Sequence, residues 1–182
     1  MSYLTRITSV LILAAILPIQ AANAKSLALL VGFKPYNVEI ADNPTKIDSQ
    51  EETQTLDDQI LADRIDAYFT KRNMPLAGYG AKFVEVSEKC NIDYRLLPAI
   101  SVRESSGGKF QFNNNPFGWA SAKVKFKDFS DAIDQVSDNL CGLVPSTSKY
   151  YKDKSTYQIL WSYNGSVIHS YPKEVMDIMD MM

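Results

Sequence analysis

The sequence predicts a mainly α-helical domain in which several short helices surround one buried helix, followed by a small extended lobe. Three observations carry this expectation. Apolar residues recur at helical spacing from Leu56 onward, first as Leu56, Ile60, Leu61, Ile65, Tyr68 and Phe69. The stretch that holds Ala99, Ile100 and Val102 reads as a buried helix running to Glu104, and it stops at Gly107-Gly108. The run "AKVKF", Ala122 to Phe126, alternates polar and apolar residues as a short strand does.

The chain starts with an export-type leader. Arg6 precedes the apolar run Val10 to Ile19, and Ala22-Asn23-Ala24 fits the small-x-small cleavage rule, which predicts a signal peptide over 1–24. A second apolar patch, Leu27 to Phe33, leaves an uncleaved leader acting as an anchor as the alternative; cleavage after Ala24 is the preferred reading. Lys34 to Thr55 is polar, has no period and reads as a linker, so that 25–55 joins the leader to a domain over 56–182. Thr55 and Asp58 resemble a capping pair at the first helix. "NMPLAGYG", Asn73 to Gly80, breaks that helix, and a short one carries Phe83, Val84 and Cys90 inward. Asp93 is the expected cap of the buried helix, with Pro98 tolerable in its first turn. Ser130 to Leu140 returns to helix, with Ile133, Val136 and Leu140 inward and Asp131, Asp134 and Asp138 on a solvated face. Ser155 caps a helix through Tyr163, and Pro172 begins the last one, with Val175, Ile178 and Met179 inward.

Bulk composition narrows the function classes. The net charge of −2 gives no global field toward nucleic acid or an acidic membrane, so no nucleic-acid partner is expected, and a membrane is met only through an uncleaved leader. A monomer is expected. One histidine, His169, and two distant cysteines offer no zinc spacing, so no metal and no other cofactor is expected. In an exported chain Cys90 and Cys141 can form one bridge, closing a loop of about 50 residues with a stabilisation of ~4 kcal/mol; two separate buried thiols remain nearly as good a reading.

Glu104 is the residue whose placement stability alone does not explain. A helix C-terminus presents unpaired carbonyls and a partial negative charge, and apolar neighbours add desolvation; both disfavour a carboxylate anion. A general acid working near neutral pH is served by that environment. The bland alternative is a solvent-facing glutamate paired with Arg103 or Lys109. The surroundings shift the balance. Asn113, Asn114 and Asn115 offer amides suited to sugar hydroxyls and acetamido groups, and Phe117 and Trp119 offer flat faces suited to a pyranose, although a turn and a core would use the same residues.

"ISVRESSGGK" followed by "NNPFGW" resembles the lysozyme-like superfamily of peptidoglycan-cleaving enzymes. Glu104-Ser105 with the glycines resembles the catalytic-helix motif of soluble lytic transglycosylases. Asn115-Pro116-Phe117-Gly118 resembles the Asn-x-Phe-Gly signature of autolysin-type endo-β-N-acetylglucosaminidases, and "FKDFSDAI" the segment those enzymes place after the small lobe. "SYNG", Ser162 to Gly165, is similar to the Tyr-Asn motif of the transglycosylases, with Ser162 where alanine is usual. The resemblance spans Ile65 to the C-terminus. It implies a lysozyme-like α+β domain, with Glu104 as general acid, Tyr163 beside it orienting the acid or stabilising charge, and Ser105, Asn115, Phe117, Gly118, Trp119 and Asn164 along a glycan groove. The Gly-Leu-Met-Gln motif of the transglycosylases is absent, which weights the resemblance toward the glucosaminidases.

Glycoside hydrolysis usually takes two carboxylates. No Asp or Glu occurs between Ser105 and Lys127, and Asp128 is the nearest candidate. A one-carboxylate route, through the substrate's 2-acetamido group or ring closure by the muramic acid O6, is therefore expected. Arg103, Lys109, Lys123, Lys125 and Lys127 give this window five cations against Glu104, either a solubilising edge or an attraction for anionic wall groups. The expected activity is an endo-β-N-acetylglucosaminidase acting on exported, extracellular or periplasmic peptidoglycan strands. A lytic transglycosylase and a catalytically inactive wall-binding module are the alternatives.

Overall fold

The computed structural model describes residues 49–182, with side chains from 54 onward. The leader and most of the linker lie outside the described residues. Seven α-helices follow one another: α1 Ser49–Lys71, α2 Gly80–Cys90, α3 Leu96–Ser105, α4 Phe129–Leu140, α5 Pro145–Tyr151, α6 Thr156–Leu160 and α7 Tyr171–Met179, with a π-helical turn, Trp161–Gly165, between α6 and α7. The domain is mainly helical, and no strand occurs among the described residues. None of the described helices is long and apolar enough to cross a membrane.

α1 starts earlier than the sequence suggested. Ser49 to Thr55 are helical rather than linker, and Thr55 and Asp58 fall inside the helix instead of at its start. Glu and Gln are good helix formers, so a polar stretch can be helical without showing an apolar period. Leu56 and Ile60 stay exposed, while Ala62, Ile65, Tyr68 and Phe69 enter the core. The Asp66 carboxylate then accepts the N–H groups of Gly78 and Gly80 at 2.8 and 2.9 Å, pinning the loop that turns α1 into α2. Gly80 is needed there, because a Cβ would run into the Ala62 carbonyl.

α3 is the buried helix. Leu96, Ala99, Ile100 and Ser101 are 0% exposed. Asp93 does not cap it directly: its carboxylate holds the Arg95 N–H and guanidinium one turn earlier, and Arg95 is the N-cap. Pro98 stands in the first turn, where no intrahelical bond is lost.

α2 and α4 are fastened to each other. Cys90 at the end of α2 and Cys141 just after α4 form a disulfide, with Cα atoms 5.3 Å apart. Asp134 and Asp138 stay partly solvated, as expected, but also form ion pairs. They meet Lys82 and Lys89 of α2 at 2.8 and 2.6 Å. Helix α6 begins at the Ser155–Gln158 capping box, but it ends at Leu160, and the chain reaches Tyr163 in the π-helical turn. Helix α5 had no counterpart in the sequence reading.

"AKVKF" is not a strand. Ala122 to Phe126 is turn and irregular chain: asparagine side chains take the carbonyls of Ala122, Val124 and Phe126, and the N–H groups of Ala122, Lys123 and Phe126 bond to backbone carbonyls of the same lobe. Asn113 Nδ2 donates to the Ala122 carbonyl, Asn114 Nδ2 to those of Phe126 and Lys127, and Asn115 Nδ2 to those of Trp119 and Val124. The small lobe is thus a loop held by an asparagine ladder.

Candidate functional site

Glu104 occupies the last turn of α3, half-buried. Neither expected cation takes it. The Arg103 guanidinium pairs with Glu174 of α7, and the Lys109 ammonium donates to the Arg72 carbonyl at 2.7 Å. The partner of Glu104 is a neutral donor, the Tyr171 hydroxyl, at 2.7 Å from Oε1. On its other side stands Gly118, at φ +63°; a Cβ there would come within 2.9 Å of Oε2. Only a residue without a side chain leaves that oxygen open.

The turn after α3 fixes this arrangement. Ser106 adopts the left-handed conformation, and the Gly107 N–H closes onto the Ser101 carbonyl. The Ser105 hydroxyl has one proton, shared between the Pro116 carbonyl at 2.7 Å and the Ser101 carbonyl at 3.1 Å, and it accepts from the Gly108 N–H. Ser105 is buried and spends its bonds on the scaffold, so it is not a groove residue.

The same correction applies to two residues of the Asn-Pro-Phe-Gly run. Asn115 is 2% exposed, and its amide holds both the N–H and the carbonyl of Trp119. Phe117 is 0% exposed and belongs to the core. What this run does is set the wall beside Glu104. Ala120, Ser121 and Ala122 all have left-handed backbone, at φ 52°, 56° and 58°. That conformation disfavours an L-residue by ~1–2 kcal/mol. The bonds from Asn113 and Asn115, and that from the Ala122 N–H to Gly118, hold it in place.

Tyr163 lies on the π-helical turn, closed by the Ser166 N–H on the Trp161 carbonyl. Its hydroxyl makes no hydrogen bond to Glu104. It donates to the Phe117 carbonyl at 2.6 Å. Its ring stacks on that of Tyr171, centroids 5.9 Å apart and planes within 8°, and also meets Trp119 at 5.6 Å. Trp119 in turn meets Tyr151 at 6.2 Å. Burial raises the pKa of Tyr171, reinforced by Tyr163 and by Glu104. Burial does the same for Tyr163, with Glu104 adding to it. Burial pushes Tyr151 up to about 12, with Tyr150 contributing. All three keep their protons through the neutral range, so Tyr171 remains a donor to Glu104.

These residues enclose a cleft of about 700 Å³. Of the residues singled out in the sequence, Glu104, Gly118, Trp119, Tyr163 and Asn164 line this cleft together. The far wall was not foreseen: Asn139, Ser146, Thr147, Tyr150 and Tyr151 come from the end of α4 and from α5. Tyr171 was also missed as a partner of Glu104. It is 67 residues away, and only the packing of α7 on α3 joins them. The lining contains one carboxylate, Glu104, and no lysine or arginine; the rest is hydroxyl, amide and aromatic surface. Asp128 is elsewhere, capping α4 through the Asp131 N–H. The lobe lysines Lys109, Lys123, Lys125 and Lys127 do not line the cleft.

Among the described residues one group of sulfur and acidic side chains comes together, Cys90, Asp138 and Cys141. Both sulfurs are in the disulfide, so no thiolate remains for a metal. Comparison with known proteins found no matching family model, no matching curated protein and no matching solved structure.

Proposed function

We propose that this chain is a peptidoglycan-cleaving glycosidase of lysozyme-like fold that acts on β-1,4 bonds of the GlcNAc–MurNAc strand, with Glu104 as general acid and then base. The observation that carries this is the isolation of Glu104: it is the one carboxylate lining a large polar and aromatic cleft, held by a tyrosine hydroxyl and bonded to no cation. Glu104 in its protonated form gives its proton to the leaving oxygen. The Tyr171 hydroxyl fixes the carboxyl group and stabilises the carboxylate left behind. With no second acid in the lining, the substrate's own 2-acetamido group holds the anomeric carbon. The carboxylate then takes a proton from the incoming water. Trp119 and the tyrosines give flat faces to the sugar rings, and Asn139, Ser146, Thr147 and Asn164 give hydrogen bonds to its substituents. The leader-type sequence over 1–24 fits an enzyme that works outside the cytoplasm.

The test has two parts. Wild-type protein clears wall embedded in a gel, and Glu104→Gln, with unchanged circular dichroism, does not. Full clearing by the variant refutes the assignment of Glu104, and retention on wall without clearing by the wild type shows a binding module. Mass spectrometry of digested, borohydride-reduced wall then identifies the bond. Ends in reduced GlcNAc support the glucosaminidase. Dominant 1,6-anhydro-muramyl ends establish the transglycosylase, the reading favoured by the Tyr-Asn pair on the π-helical turn, with Glu104 in the same role.

A further inference from the structure

Beside the cleft the surface carries three aromatic rings in near-parallel array. Tyr157 stacks on Trp161 with planes within 18° and centroids 6.3 Å apart, and Trp161 stacks on His169 within 12° at 5.5 Å. Tyr157 and Trp161 remain 51% and 39% exposed. They border a depression of about 460 Å³ whose other lining residues are Lys154, Gln158 and Ser162. Ser162 also lines the main cleft, so the two recesses share a wall. The polar groups at the depression are of two kinds. The Gln158 side-chain oxygen is engaged by the Ser155 cap, which leaves its NH2 group as a donor. The Lys154 ammonium has no ion-pair partner among the described residues.

We propose that this depression is a second carbohydrate subsite, where Tyr157, the end ring of the stack, and the exposed part of Trp161 meet a pyranose of the same strand and Lys154 meets a carboxylate on it. A pyranose offers a flat C–H face to an aromatic plane and hydroxyls to its edge. The site combines exposed aromatic surface, one amide donor and one unpaired cation, which matches an acidic N-acetyl sugar better than it matches an aliphatic ligand or an uncharged glycan. The shared Ser162 makes the platform an extension of the groove. The inference rests on reading that groove as a glycan site. It adds what the groove itself lacks, a positive charge for an acidic sugar.

Titration calorimetry with the full chain carrying Glu104→Gln, so that nothing is cleaved, tests the platform with short and long chito-oligosaccharides. In that background Tyr157→Ala and Trp161→Ala each weaken the long oligosaccharide at least fivefold and leave the short one unchanged. Lys154→Gln leaves both chito-oligosaccharides unchanged and reduces retention on intact peptidoglycan at least threefold. Tyr157 is half-exposed, so its variant decides the matter if Trp161→Ala proves unstable. Unchanged affinity of Tyr157→Ala for the long oligosaccharide overturns the platform. Unchanged retention of Lys154→Gln overturns the carboxylate contact. If the platform variants bind as the parent while the wild type clears wall, the platform alone fails. If the wild type clears nothing but long-oligosaccharide affinity still depends on Tyr157, the cleavage mechanism alone fails. No binding of any oligosaccharide overturns both.

Discussion

A carboxylate in the last turn of a helix normally recruits a neighbouring cation, and Glu104 has Arg103 beside it and Lys109 five positions on. Each of these is occupied elsewhere: Arg103 by Glu174, and Lys109 by a backbone carbonyl. The Ser170 hydroxyl and then Arg103 hold the Glu174 pKa below the usual carboxylate range, so that ion pair persists through neutral pH. Glu104 is left with Tyr171. The sequence pointed to Tyr163 for this part because the Tyr-Asn motif contains it. Nothing local marks Tyr171, which opens α7 and reaches Glu104 only once α7 packs on α3. The two tyrosines should therefore separate cleanly on substitution. Tyr171→Phe removes a hydrogen bond that the folded chain already makes to Glu104; it lowers stability by up to about 1.5–3 kcal/mol and, under the proposed activity, lowers kcat about 10- to 100-fold. Tyr163→Phe strands the Phe117 carbonyl instead; it lowers stability by about 1 kcal/mol and reduces kcat by less than Tyr171→Phe. Rates on purified wall alongside thermal melts check both, and a larger kcat loss for Tyr163→Phe would show that its hydroxyl turns toward the reacting bond when substrate is bound.

At the scale of elements, helix periodicity made the buried α3 and the inner faces of α4 and α7 legible, because those residues face one core. The lobe between α3 and α4 was not legible as it is. "AKVKF" alternates because Val124 and Phe126 turn inward, a pattern that a loop tied down at intervals shares with a strand. The asparagines looked like ligands for sugar, yet they complete backbone bonds. Asn115→Ala removes the partners of the Trp119 N–H and carbonyl and of the Val124 carbonyl, so it should cost about 2–4 kcal/mol and lower wall lysis by releasing Trp119. Thermal melts and lysis assays on one preparation check this; a native melting temperature would place the ladder outside the stability of the lobe. The α2–α4 pair gives a second expectation. The Cys90–Cys141 bridge spans 51 positions, and its reduction should lower stability by up to about 4 kcal/mol. Urea unfolding with and without a reductant measures it. α5 escaped notice because Pro145 to Tyr151 is mostly polar and buries only Tyr151, although it builds the far wall of the cleft.

Across the whole molecule the cleft and the core are joined through tyrosine. Tyr151, Tyr163 and Tyr171 connect α5, the π-helical turn and α7 around Glu104, and burial raises the pKa of all three above the ordinary value of about 10. Such a group binds its proton more tightly in the folded chain than in the unfolded one. Its contribution to stability is complete below pH 10 and is lost as pH rises through the folded-state value, because unfolding then releases protons. Lys82 acts in the same sense, its pKa raised chiefly by the hydrogen bond to Asp134. The melting temperature should therefore decline steadily from about pH 10 upward. The tyrosines are separated from the lysine by substitution. Tyr151→Phe removes a group that titrates at about 12 when folded, so between pH 10 and about 12 its stability should fall less steeply than that of the wild type, while Lys82→Met keeps the tyrosine part of the slope. Melts followed by circular dichroism from pH 8 upward provide the comparison. If Tyr151→Phe keeps the wild-type slope, the Tyr151 ring is solvated in the folded protein, and the aromatic wall between α5 and Trp119 is looser than its packing implies.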